Sequence, residues 1–133
     1  MLNLVAIDFG YKISTTDLQL IYTESGGVKI EVGAIPLTSS DECRNIEIAF
    51  SLVAEAKCVT MNFYESNYSL IDRTLKAIGF YEVENSQHLQ ENINIYDTQK
   101  RYDFRHYIIA GYDGYVELIA SSQYSVNEKP LKQ

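Results

Sequence analysis

The sequence predicts an α+β domain, a mixed and mostly antiparallel sheet with two main helices in the order β-β-β-α-β-α-β-β-β. Three observations predict it. Apolar residues keep strand spacing through the first 36 positions, then switch to helical spacing over 40–57 and again over 70–78. Between and after those stretches, short runs rich in Val, Ile, Tyr and Phe return, bounded by Gly, Asn and Asp. A chain of 133 residues fits one core, and at that length folding removes roughly 70% of the unfolded surface from water. The domain is expected to span residues 1–124, with the polar "SVNEKPLKQ" of 125–133 as a flexible tail.

In order along the chain, "LNLVAIDF" alternates Leu2, Leu4 and Ala6 with Val5, Ile7 and Phe9, as in a strand covered on both faces. "DLQLIYTE" and "GVKIEVGAIPL" follow, separated by Ser25, Gly26 and Gly27, which suit a tight hairpin, so the three runs read as a meander. Pro36 ends the third strand. Cys43, Ile46, Phe50 and Val53 then fall at helical spacing, with Ser39 and Glu42 placed for a capping box, so 40–57 reads as a helix. Ile48 and Leu52 give it a second apolar line. "CVTMNFYE" reads as a strand, and Leu70, Ile71, Leu75 and Ile78 as one face of a second helix stopped at Gly79. "YEVE" and the alternating "ENINIYD" read as strands. "FRHYIIAGYDGYVELIAS" reads as a hairpin turning at Asp113 and Gly114.

Charge narrows the function. The net charge is −7, and residues 1–99 hold 14 acidic against 6 basic side chains. Carboxylates repel phosphate backbones, so the expected partner is a protein, preferably a basic one, and not nucleic acid. No apolar run reaches the roughly 20 residues of a membrane span. Cys43 and Cys58 have neither CxxC spacing nor metal-ligand company, and "MLNLVAIDFGYK" lacks a cationic start, which together point to a cytoplasmic protein with reduced thiols.

The stretch "YESNYSLIDRTLKAIGFYEVE", a strand ending near Asn67, a short amphipathic helix and Gly-Phe leading into a strand, resembles the GNAT acyltransferase family. The order of elements is similar to that family without its first strand and first two helices. The resemblance implies an acyl-CoA pyrophosphate loop of the form Q/R-x-x-G-x-G/A at a helix N-terminus, where unpaired N–H groups and glycines receive the anion. The matching segment is "RNIEIA", with Arg44 and Ala49 in place and Glu47 where the first Gly belongs. A carboxylate there opposes pyrophosphate, and no glycine lies between Gly33 and Gly79. The family's general acid, a Tyr, would fall at Thr74 or Leu75, with Tyr64, Tyr68 and Tyr81 nearby as substitutes. The resemblance therefore implies a defunct cofactor site at Arg44, Ala49 and Asn67, no cofactor, and no acetyl-CoA binding.

Other signals are thinner. The stretch "VAIDFGYKISTT" resembles the first phosphate loop of the actin and RNase H superfamilies at Asp8 and Gly10 only. His88 and His106 stand alone in sequence, and no G-x-S-x-G elbow is present. Lys100, Arg101 and Arg105 form a short basic run. Tyrosines crowd the last third, and Tyr107, Tyr112 and Tyr115 about the final turn read as an aromatic edge for a partner or a second copy. The expected function is thus a non-catalytic, GNAT-like acidic protein that binds a protein partner, as inhibitors, immunity proteins and regulatory subunits do. The alternatives are a divergent N-acyltransferase with Glu31 as base, and a homo-oligomeric structural protein.

Overall fold

Val28, Ile30, Val32 and Ala34, and then Ile46, Ile48 and Phe50, are each at most 1% exposed. A spacing of two that buries every second side chain belongs to strands packed on one face. The structure, a computed structural model, describes residues 3–14, 17–38, 42–60, 78–112 and 114–129. Among these residues the order is β1 (Asn3–Ala6), β2 (Tyr11–Ile13), β3 (Gln19–Thr23), β4 (Gly27–Pro36), β5 (Arg44–Phe50), β6 (Val53–Thr60), β7 (Gly79–Glu84), α1 (Gln87–Tyr96), β8 (Phe104–Ala110), β9 (Gly114–Ser121) and β10 (Tyr124–Glu128).

The strands form two antiparallel sheets. The first runs β1-β7-β8-β9-β6 and the second β10-β5-β4-β2, with β3 also on β4. β2 and β3 share one edge of β4, β2 along Ala34–Pro36 and β3 along Gly27–Glu31. The sheets meet at a corner, because both β5–β6 and β9–β10 cross from one sheet to the other. Phe50 lies opposite Tyr124 on one side of it and Val53 opposite Ala120 on the other. Ser121 N–H donates to the Leu52 carbonyl between them at 2.9 Å, and the ladder slips between Val53 and Glu55. Bends and irregularities of this kind let paired strands change sheet.

The core fills the space between the sheets. Phe50, Phe80, Tyr107 and Tyr124 meet there, each ring touching the other three at centroid distances of 5.4 to 6.4 Å, and tilted and edge contacts of this kind suit aromatic quadrupoles. Leu4, Val83, Ile108, Ala110 and Tyr115 make a second apolar cluster on the opposite face of the first sheet. Gly27, at φ +75°, closes the β3–β4 hairpin where a Cβ would come 2.3 Å from the Phe50 carbonyl oxygen, so no larger residue fits.

The α+β layout with two main helices is not what the chain adopts. The expected helix at 40–57 is β5 and β6. Ile46, Ile48 and Phe50 satisfy a period of two as well as Cys43, Ile46, Phe50 and Val53 satisfy a helical one, and neighbouring β4 decides between them. Ile48 is fully buried beside Ile46, while Leu52, its supposed partner, is 44% exposed at the corner. The expected strand "ENINIYD" is the second half of α1. Ser86 caps that helix by accepting from Leu89 N–H at 3.1 Å, the Asp97 N–H closes it on the Ile93 carbonyl at 2.8 Å, and Ile95 points out, 75% exposed.

The first run does not join a meander either, since β1 pairs with β7. Residues 124–128, expected at the domain's limit and in a flexible tail, form β10 on β5. Both hairpins are present, with Thr23 opposite Gly27 and Ala110 opposite Tyr115, but Gly114, expected in the second turn, is the first residue of β9, and Gly111 N–H donates to its carbonyl at 2.8 Å. The second expected helix, about 70–78, lies almost wholly outside the described residues, as do Asn67 and Asp113. No helix among the described residues is long and apolar enough to cross a membrane.

Candidate functional site

Two polar assemblies stand out, one on the outer face of each sheet. On the second sheet, β4 and β5 place Glu31 directly opposite Glu47. Like charges directly opposed across a ladder destabilise it, and these are not solvated away: Glu31 is 8% exposed and the Glu47 side chain 15%. Their neutralising charge comes from the end of β10. Lys129 N–H donates to the Asn45 carbonyl at 2.8 Å, and its ammonium reaches over the sheet to both carboxylates, touching Glu31 and lying 3.4 Å from Glu47. The hydrogen bond to Glu31 holds the Lys129 ammonium above its usual pKa. Gln19 and Asn127 extend the same row as the cross-strand neighbours of Glu31 and Glu47. Glu128 fastens the strand end, receiving Arg44 at 3.0 Å and the Tyr11 hydroxyl at 2.9 Å.

The second assembly lies between α1 and the first sheet, and it gathers both histidines of the chain. His88 on α1 meets Glu55 on β6 at 2.7 Å, and the Tyr96 hydroxyl donates to the same carboxylate. His106 on β8 meets Glu117 on β9 through Nε2 at 2.7 Å, and Ser86 Oγ through Nδ1 at 2.6 Å. The two imidazoles are 6.1 Å apart. Lys57 on β6 reaches the other Glu117 oxygen at 3.2 Å. A small cavity of about 130 Å³ opens among Glu55, Lys57, His88 and Glu117.

Electrostatics follow from these bonds. The hydrogen bond from His106 leads in holding the Glu117 carboxyl down at about 2, overcoming burial, with Lys57 assisting. Burial pushes Glu55 upward, but hydrogen bonds from Tyr96 and His88 carry it below the usual range. Ser86 Oγ already accepts from Leu89 N–H, so its own hydrogen is free to go to His106 Nδ1, which leaves the Nε2–H to donate to Glu117. No α1 residue is buried. Its seat on the sheet therefore depends strongly on these polar bonds.

The residues singled out from sequence fall elsewhere. "RNIEIA" is β5, between β4 and β10, so its backbone groups serve two ladders and do not converge at a helix end. Arg44 in it is paired with Glu128, and Ala49 lies opposite Lys29 and Ser125. Tyr107 and Tyr115 are buried, at 2% and 7% exposed, and Tyr112 is exposed at 47%. Their hairpin is not an edge, because β7 and β6 flank it. Asp8 accepts from Gly10 N–H at 3.2 Å, a local turn between β1 and β2. Arg105 in the basic run is engaged by Asp103 and Glu82. Asp97 organises that loop by accepting from the Arg101 and Tyr102 N–H groups.

Glu31 and Glu47 were each visible in sequence but not as a pair. The Ser86, His106 and Glu117 set was missed, and only the spacing of Ser86 from the apolar Leu89 gave a local signal, as a cap. Among the described residues no three His, Cys, Asp or Glu side chains converge where a metal ion could sit. No protein-family model matches the chain, and no curated protein or solved structure matches it.

Proposed function

We propose that the chain works by binding a protein partner that presents a lysine or arginine to the outer face of the second sheet. One observation carries this reading: Glu31 and Glu47, opposed across the β4–β5 ladder, already hold an ammonium group. A sheet gains nothing in stability from such a pair, and departures of this kind from local rules tend to mark function. Lys129 acts as an internal ligand, just past β10 and with its side chain 38% exposed. A partner's cation replaces it at small cost. The net charge of −7 favours encounter with a basic surface at low salt. No acyl-group chemistry is required of this face.

The test is calorimetric titration with a lysine-rich peptide at low salt. The Glu31→Gln, Glu47→Gln double variant should lose most of the affinity. Lys129→Ala should bind several-fold more tightly, because the internal competitor is gone, while losing some stability. Equal affinity in all three proteins would remove this face from the binding reaction.

A further inference from the structure

A separate assembly, untouched by the binding reading, supports chemistry. The geometry points to Ser86, His106 and Glu117 as the nucleophile, base and orienting carboxylate of a site that cleaves short carboxylic esters. The hydrogen-bond order is the one such a relay needs: hydroxyl to imidazole at 2.6 Å, and the opposite ring nitrogen to carboxylate at 2.7 Å. The three residues come from three elements, the start of α1, β8 and β9, which meet only in the folded chain. Ser86 follows Asn85, whose φ of +52° turns the chain sharply from β7 into the helix. A serine on a strand-to-helix turn is placed beside the first amides of a helix. In α1 the Leu89 N–H is taken by Ser86 Oγ and that of Gln90 by the Ser86 carbonyl. Gln87 and His88, the first two residues of α1, have no intrahelical carbonyl to donate to.

Space for a substrate lies alongside. Ser86 and His106 both line a cleft of about 460 Å³, whose other walls include Glu82, Asn85, Leu89 and Arg105. That volume fits a small ester, with Leu89 for an apolar part. The His106 side chain itself is fully buried, which shields the imidazole from bulk water.

The chemistry balances with water as the only co-reactant. Ser86 Oγ forms a bond to the ester carbonyl carbon as its proton passes to His106 Nδ1, and the carbonyl electron pair moves to oxygen. Collapse restores the C=O and breaks the bond to the alcohol, which leaves with the proton from His106. Water then attacks the acyl-serine, gives a proton to His106, and the C–Oγ bond breaks as that proton returns to Ser86. One ester and one water yield one acid and one alcohol. Glu117 stays ionised throughout, fixing Nε2–H and balancing the transient imidazolium.

Treatment of the full chain with a fluorophosphonate probe, followed by peptide mapping, tests the assignment. A single adduct on Ser86 is expected, absent in Ser86→Ala, with p-nitrophenyl acetate hydrolysis lost in parallel. Glu117→Gln keeps the side-chain shape and His106→Asn removes the base; general-base assistance predicts a fall of at least about 100-fold in the labelling rate for His106→Asn. The wild-type measurement decides even where a variant loosens α1. No adduct on Ser86 in the folded chain, or equal labelling without His106, would show that the relay serves only to cap and seat the helix.

Discussion

Glu117 on β9 ties both neighbouring strands to its own, holding His106 on β8 and Lys57 on β6. Its carboxyl, ordinarily near 4.5, is held at about 2 by His106 and Lys57. A folded value below the unfolded one stabilises the fold fully above pH 4.5, and that contribution disappears as the pH falls towards 2. The linked free energy is at most about 3 kcal/mol. Chemical denaturation between pH 5 and pH 2 should therefore lose stability steeply, and Glu117→Gln should flatten that dependence while lowering stability at pH 7. Identical slopes in the two proteins would mean that the pairing of Glu117 with His106 is not maintained in solution.

Elements were decided by their neighbours more than by their own spacing. β5 carries apolar residues at positions compatible with either a helix or a strand, and β4 supplies the matching row, Ile30 opposite Ile48 and Val32 opposite Ile46. Branching at Cβ in these isoleucines and valines tilts the balance towards the pleated form. Phe50 closes the element inside the four-ring cluster. Phe50→Ala should cost about 3 to 5 kcal/mol in urea denaturation, since three rings lose a partner and the close-packed surroundings cannot collapse fully. A loss near zero would place the ring outside the core. α1 shows the converse, a helix with little apolar purchase that exists because Ser86 caps it and two imidazole–carboxylate pairs lie beneath it.

At the scale of the molecule, β10 is part of the domain. It covers β5, contributes Tyr124 to the aromatic cluster, and brings Lys129 over Glu31 and Glu47. Deleting residues 124–133 should expose the β5 edge, leave two carboxylates without their cation, and open one side of the core. The expected outcome is a broad, non-cooperative melting transition and binding of a hydrophobic dye, read by calorimetry and fluorescence. A truncated protein melting as sharply as the full chain would return the domain limit to residue 124.

The sequence by itself determined the hairpins, since glycine at a turn between alternating runs is a local signal: Gly27 requires positive φ and close approach to Phe50, and Gly114 follows the second turn. It also determined the strand character of β4, β7, β8 and β9, short runs rich in Val, Ile, Tyr and Phe, and the acidity of the surface. Only the tertiary structure decided between helix and strand for 44–50 and 91–96, because short apolar patterns fit both periods and the neighbouring sheet or cap settles the matter. Only it could place Glu31 against Glu47, or bring Ser86, His106 and Glu117 together. Side chains 16, 20 and 11 positions apart, respectively, carry no mutual signal along the chain; β-sheet register and the turn into α1 create their proximity, and register is a property of the folded pairing, not of either strand alone.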